Sequence, residues 1–323
     1  MQSPEVLEAL PQTRQIAISL PSTGQEEWEA TRECFESGWL TQGPKVAAFE
    51  KAFAQLHGVS HAVAVTSCTT GLHLALATLG IGPGDEVIVP AFTWVATANV
   101  VLYCGATPVL VDIDPITFNI DATAVRSALT ERTKAVIPVH LFGRCADMDA
   151  LKAVLPPHVA IIEDAACAAG ASYKGQMAGA LGTAGVFSFH PRKSVTTGEG
   201  GMLTTQDADF AERAAQYRNH GASISEEQRH LGPKPYILPD FNLLGFNYRM
   251  TDLQGAVGLV QLQKLMGFIE ERQRWAEFYH RELADISWLR LPAIPTDGQH
   301  GWQAFVCSVD PERAPMPRND MME

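Results

Sequence analysis

The six cysteines of the chain, Cys34, Cys68, Cys104, Cys145, Cys167 and Cys307, include no C-x-x-C pair and no cysteine–histidine cluster at zinc spacing. Their scatter speaks against a disulfide framework and against a structural metal. Basic residues are scarce, 24 Lys and Arg against 36 Asp and Glu, and the net charge of -12 opposes general affinity for nucleic acid or an anionic membrane. A local basic pocket for a phosphate is compatible with that balance. The start of the chain has neither the basic nor the apolar region of an export signal, so the expectation is a cytoplasmic protein. Internal repeats and low-complexity tracts are absent. One uncharged stretch, 91–111, is long enough to span a bilayer. It carries Thr93, Thr97, Asn99, Gly105, Thr107 and Pro108, and it reads as a buried helix followed by a strand.

What is present is a chain of 323 residues with 46% hydrophobic content, enough for one large core and a smaller second unit. Short apolar runs alternate with helical patterns from 62 to 205, which predicts an α/β fold with a mostly parallel sheet wrapped by helices. The runs are Ala62–Val65, Glu86–Val89, Pro108–Val111, Ala135–Pro138, Val159–Ile162, Val186–Phe189 and Met202–Thr204. Leu72, Ala75, Leu76 and Leu79 make one apolar stripe on a helix over 69–79. Pro44 opens and Gly58 closes a helix whose Phe49, Ala52, Phe53 and Leu56 share a face, read here as an arm or interface element. Thr251-Asp-Leu-Gln254 has capping-box spacing and starts a long helix that bridges to the second unit. The expected division is 1–249, an N-terminal arm and large domain, and 250–323, the bridging helix and a small C-terminal α+β domain. Ser223 to Asn242 is polar and rich in proline and glycine, and is expected to form a long excursion near a site or an interface.

The chemistry is carried by Lys193 and Asp164. Asp164 ends the run Val159-Ala-Ile-Ile-Glu-Asp, and Lys193 follows the last core run in Phe187-Ser-Phe-His-Pro-Arg-Lys. Pyridoxal phosphate (PLP) needs a lysine amine to hold it as a Schiff base and a carboxylate beside its pyridine nitrogen. Taken singly, each residue is an ordinary surface charge or turn former. Ligands of open α/β sheets sit beyond the carboxyl ends of the strands, and the other suspicious residues fall there as well. Ser67-Cys-Thr-Thr-Gly71 places Thr69 and free amides where a helix begins, as a phosphate grip or as a plain cap. Trp94 stands at the same edge, able to stack on a flat heterocycle or to pack in the core. The hydroxyl of Ser188 is a further phosphate ligand candidate, and Gly198, Gly200 and Gly201 give the backbone room to turn. His190 reads either as a substrate-orienting group or as a packed histidine. Arg249 would bind a carboxylate or a neighbouring acid. Gly80-Ile-Gly-Pro-Gly-Asp85 is not a dinucleotide fingerprint, since it follows a helix and ends on Asp85.

In order and spacing these motifs resemble the DegT family of sugar aminotransferases, which have the aspartate aminotransferase type of fold. The resemblance also covers Gly38-Trp-Leu-Thr-Gln-Gly-Pro44, Pro138-Val-His-Leu-Phe-Gly143, Glu163-Asp-Ala-Ala166 and Gly245-Phe-Asn-Tyr-Arg-Met250. It implies that Lys193 carries PLP, Asp164 pairs with the pyridine nitrogen, Trp94 stacks on the ring, and Thr69 with Ser188 binds the phosphate. It implies further that Asn247 reaches the phosphate of a neighbouring subunit, hence a homodimer with shared sites. The expected substrates are a nucleotide-linked keto-sugar and glutamate. Cys167 stands where the family usually has glutamine or histidine, and Cys68 where glycine is common, so both cysteines are placed at the cofactor. A related dehydratase branch has histidine at the position of Lys193, so lysine favours transamination. A lyase or dehydratase reaction, and a PLP-binding regulator without catalysis, are the alternatives. Family members run several tens of residues further, so the small domain is expected to be incomplete.

Overall fold

The computed structural model describes residues 17–322 except 225–228, 231 and 235. Seven strands form the central sheet: β1 (His61–Val65), β2 (Glu86–Pro90), β3 (Thr107–Val111), β4 (Thr133–Val136), β5 (Ala160–Asp164), β8 (Ala184–Ser188) and β9 (Gly201–Thr205). A short hairpin, β6 (Ser172–Tyr173) with β7 (Gln176–Met177), lies between β5 and β8. The order across the sheet is β1-β9-β8-β5-β4-β2-β3. The pairs β8/β5, β5/β4, β4/β2 and β2/β3 are parallel, while β9 runs antiparallel to both neighbours. All seven predicted runs are strands of this sheet.

Outside the edge strand β3, where Leu110 is exposed, burial on both faces explains why the runs are apolar rather than alternating. Along β8 and β9, Phe187 and Met202 enter the core on one side while Val186 and Leu203 enter it on the other. On the first side lie α2 (Pro44–His57), α5 (Ala122–Ala128), α6 (Met148–Val154) and α8 (Asp252–Glu282); on the second lie α3 (Cys68–Thr78), α4 (Ala96–Tyr103) and α7 (Ala208–Arg218). The uncharged stretch 91–111 forms α4 and the edge strand β3. No helix among the described residues is long and apolar enough to cross a membrane.

The structure corrects the reading of α2 as an arm. Its Phe49 and Phe53 are fully buried, and the Phe53 ring meets Phe187 edge-on at 4.9 Å. A stripe of two phenylalanines costs too much in water to remain an arm, and here it seals the sheet. The residues expected to precede the core fall partly on 1–16, outside the described residues. The next helix, α1 (Gln25–Ser37), is polar and buries only Glu27 and Cys34. The excursion after α7 closes at its base, where the Ser223 amide donates to the Asp240 carbonyl at 2.9 Å. Its 225–228, 231 and 235 lie outside the described residues.

After α8 the chain adds a two-residue ladder between β10 (Leu289–Arg290) and β11 (Ser308–Val309). Between these strands it returns to the 3-10 turn Leu141–Gly143 that follows β4, where the Gly301 amide donates to the Gly143 carbonyl at 2.7 Å and the Gln303 amide to the Phe142 carbonyl at 3.0 Å. Asp320–Met322 ends the described chain as a 3-10 turn.

Candidate active site

The carboxyl ends of β1, β5 and β8 open on one cavity of about 550 Å³. Ser67, Cys68, Thr69, Trp94, Asp164, Ser188, His190 and Lys193 line it, together with Arg192, Glu199 and Gln303.

Asp164 is the last residue of β5 and is 5% exposed. A buried carboxylate needs donors. Its Oδ2 accepts the Thr97 hydroxyl at 2.8 Å, and its Oδ1 accepts the Ala166 amide at 3.2 Å and the Cys68 thiol at 3.8 Å. Thr97 lies on α4, fully buried. Burial and the Asp164 charge push the Cys68 thiol well above its ordinary range, so Cys68 stays neutral beside the carboxylate.

Lys193 lies in a tight turn closed by its own amide on the His190 carbonyl at 2.8 Å. The loop then turns back at Gly198, whose φ of +82° suits glycine, and the Thr197 amide donates to the Phe189 carbonyl at 3.0 Å. The Lys193 Nζ stands 3.2 Å from the Cys167 Sγ. Burial pulls the pKa of this amine down, but the Cys167 and Cys68 sulphurs and the Asp164 carboxylate outweigh it, and the net direction is up.

The third component is the start of α3. Ser67 caps it, its Oγ accepting the Thr70 amide at 3.1 Å, while the first-turn amides of Cys68 and Thr69 have no acceptor within the helix. Those amides and the Thr69 hydroxyl border the cavity, with Ser188 at the end of β8 opposite. The backbone of Gly201 passes so close that a Cβ there would lie 2.5 Å from the Ser67 carbonyl carbon and 2.7 Å from the Cys68 nitrogen. Trp94 presents its indole at the rim, 78% exposed. The set fits PLP: a helix start for the phosphate, a buried carboxylate for the ring nitrogen, an amine for the aldehyde and an aromatic for the ring face.

Three of the expected site residues are not among those lining this cavity: Cys167, which stands behind Lys193, and Asn247 and Arg249. Asn247 pairs in an isolated bridge with Asn219, and the Arg249 guanidinium donates to the Asn219 Oδ1 at 2.8 Å. Conversely, sequence reasoning missed Thr97, Glu199, Arg192 and Gln303. A hydroxyl in an otherwise apolar helix start was the signal available for Thr97. Gln303 comes from 110 residues beyond the lysine loop in the chain and nothing local announces it; its side chain donates to the Arg192 carbonyl at 3.0 Å.

Fold and site together define a PLP-dependent aminotransferase with the aspartate aminotransferase-like architecture. The chain belongs to the DegT/DnrJ/EryC1/StrS aminotransferase family, whose model matches residues 21–323. It is 44% identical over 308 residues to the spore coat polysaccharide biosynthesis protein SpsC of Bacillus subtilis, covering 95% of this chain and 79% of SpsC. Among solved structures it resembles Spr1654 of Streptococcus pneumoniae in its PMP form, with a TM-score of 0.86 and 30% identity over 92% of this chain and 79% of that one. It also resembles DesV of S. venezuelae in complex with a ketimine intermediate, with a TM-score of 0.82 and 36% identity over 92% of this chain and 75% of DesV.

Proposed function

We propose that this aminotransferase moves an amino group from L-glutamate to the carbonyl of a nucleotide-linked keto-sugar, with Lys193 as the residue that holds PLP and carries the proton. The observation that carries this reading is the convergence of the Lys193 amine, the Asp164 carboxylate and the α3 amides on one cavity. PLP, when bound, supplies the electron sink that makes the α-hydrogen of an amino acid acidic. With PLP bound, Lys193 Nζ, freed by the donor amine, would take that proton from the donor Cα and return it to the cofactor carbon on the other side of the imine nitrogen. Asp164 holds the proton on the pyridine nitrogen, its own oxygens fixed by Thr97 and Ala166. The Cys68 and Thr69 amides, the Thr69 hydroxyl and Ser188 hold the phosphate, and Trp94 covers the ring. The sugar ketone then takes the amino group by the same steps in reverse.

A sugar acceptor is supported by SpsC, which takes part in polysaccharide biosynthesis. It is also supported by a cavity bounded by His190, Arg192, Glu199 and Gln303, polar groups suited to hydroxyls and phosphates. In a homodimer, Asn247 would serve the phosphate site of the neighbouring subunit, which accords with its position outside the cavity of its own chain.

The test is the visible absorbance of the PLP-loaded protein before and after excess glutamate, with 2-oxoglutarate measured alongside and Lys193→Ala as the control. The expected result is loss of the absorbance band and formation of 2-oxoglutarate in the wild type alone. Full amino transfer by Lys193→Ala would overturn the assignment. Screening keto-sugars with and without a nucleotide then tests the acceptor.

A further inference from the structure

The 3.2 Å contact between Lys193 Nζ and Cys167 Sγ joins the amine that the reaction needs to a thiol given no step in it. Both ends are fixed by backbone. Cys167 sits in the turn after β5, where the Ala168 amide donates to the Ala165 carbonyl at 2.9 Å, and Lys193 sits in the turn closed on His190. Cys167 is part-exposed, and its neighbours Ala166 and Lys193 line the cavity, so a small oxidant reaches it. Cys68, by contrast, is buried against Asp164 and held as a neutral thiol, which makes it the poorer nucleophile.

We propose that Cys167 and Lys193 form a reversible sulfur–nitrogen crosslink when the protein meets hydrogen peroxide before its cofactor is attached. In the first step the Cys167 sulfur attacks one peroxide oxygen, the O–O bond breaks, a sulfenic acid forms and one water leaves; sulfur is oxidised by two electrons and peroxide reduced by two. In the second step the Lys193 ammonium gives one proton to solvent, and its nitrogen attacks that sulfur. The S–N bond forms, the S–O bond breaks, and the hydroxyl leaves as water with the second amine proton. The sum is one amine, one thiol and one hydrogen peroxide giving the S–N link and two waters. A thiol reductant reverses it by attack on sulfur, returning the amine and the Cys167 thiol with oxidation of two reductant thiols to a disulfide.

The crosslink rests only on the observed contact; its consequence rests on the reading of Lys193 as the PLP-holding residue. An amine bonded to sulfur cannot take the PLP aldehyde, and an amine already holding PLP cannot bond to sulfur. Oxidation and cofactor loading therefore exclude one another.

The experiment treats the full chain with hydrogen peroxide, with and without prior saturation by PLP, and maps peptides without reduction. The expected product is a linked pair of peptides bearing Cys167 and Lys193, lighter by two hydrogens than their sum. It is lost on dithiothreitol treatment, which restores PLP binding measured by absorbance. It is absent from Cys167→Ser and kept in Cys68→Ser. A Cys68–Cys167 disulfide in its place, or oxidation of Cys167 to the sulfinic acid with no linked peptide, would overturn the crosslink. A linked peptide that forms equally well in PLP-saturated protein would leave the crosslink standing and overturn the role given to Lys193.

Discussion

The carboxylate of Asp252, at the start of α8, accepts the backbone amide of Val46 at 2.9 Å, more than two hundred residues away in sequence. The same side chain accepts the Gly43 amide at 2.8 Å and the Lys45 amide at 3.1 Å, so it caps α2 from a different helix. Pro44, at the first turn, has no amide to satisfy. Asp252→Ala removes three acceptor contacts from amides at a buried helix start. The expected cost is about 1–3 kcal/mol, read as a lower urea midpoint with an unchanged slope.

Glu27 gives the fold an acid limit. Burial tends to raise its pKa, but Lys264 at 2.7 Å, Gln261 at 2.8 Å and the Gly24 amide at 2.8 Å outweigh this and hold it at about 2, against an ordinary 4.5. A depressed carboxylate contributes its full stability above the unfolded value and loses it as pH falls through the folded one. Unfolding free energy should therefore decline between pH 4.5 and 2 by at most about 3 kcal/mol from this group. Glu27→Gln should be less stable at neutral pH and show a shallower decline over that window in denaturation curves.

Asp164→Asn keeps the shape of the side chain and removes its charge. Turnover should fall about a hundredfold or more, because a preorganised charge at the ring nitrogen is lost. PLP attachment through Lys193 should persist, so the visible band remains while the single-turnover rate with glutamate collapses. A variant with near-wild-type turnover would remove Asp164 from its assigned role.

Gly201→Ala tests the phosphate grip without touching a polar group. The added methyl would press on the backbone of Ser67 and Cys68, which cannot yield as a side chain can. The strain expected is about 1–3 kcal/mol. It should show as weaker PLP affinity by equilibrium dialysis, larger than any loss from Gly58→Ala at the distant end of α2.

The proposed sharing of sites between subunits predicts complementation. Co-expressed Lys193→Ala and Asn247→Ala chains place both lesions in one site of a mixed dimer and leave the other intact. Random pairing should restore about a quarter of wild-type activity, while either variant alone stays inactive. No recovery would mean that Asn247 serves its own subunit or none.

Much of this architecture was legible because the sheet is buried on both faces and its strands are written as apolar runs. The antiparallel course of β9 was not, since Met202-Leu-Thr204 reads the same in either direction. Nor was α1, whose stability comes from Glu27 meeting Lys264 and Gln261 on α8 and not from an apolar stripe. Phe49 and Phe53 were recognised as one face and read as part of an arm or interface element, because a stripe states that something covers it without naming what. At the site, Lys193, Asp164, Trp94, Thr69 and Ser188 were legible as strand-end residues of one edge. Thr97 left only the signal of a hydroxyl in an apolar helix start, and Gln303 depends on a returning chain that nothing nearby encodes.

The 31 residues of α8 make a rod of about 46 Å. Near one end Asp252 grips the start of α2; twenty residues on, Arg272 donates to the Trp302 carbonyl at 3.0 Å, immediately before the cavity residue Gln303. A tilt of about 2° pivoting at Asp252 carries Arg272 through about 1 Å, a displacement on the scale that separates productive from idle geometry. The helix thus meets the cavity at two points, near Asp252, where the Gln254 side chain donates to the Glu199 carbonyl at 2.7 Å, and near Arg272, so a tilt that pivots on the cap moves one wall of the cavity against the other.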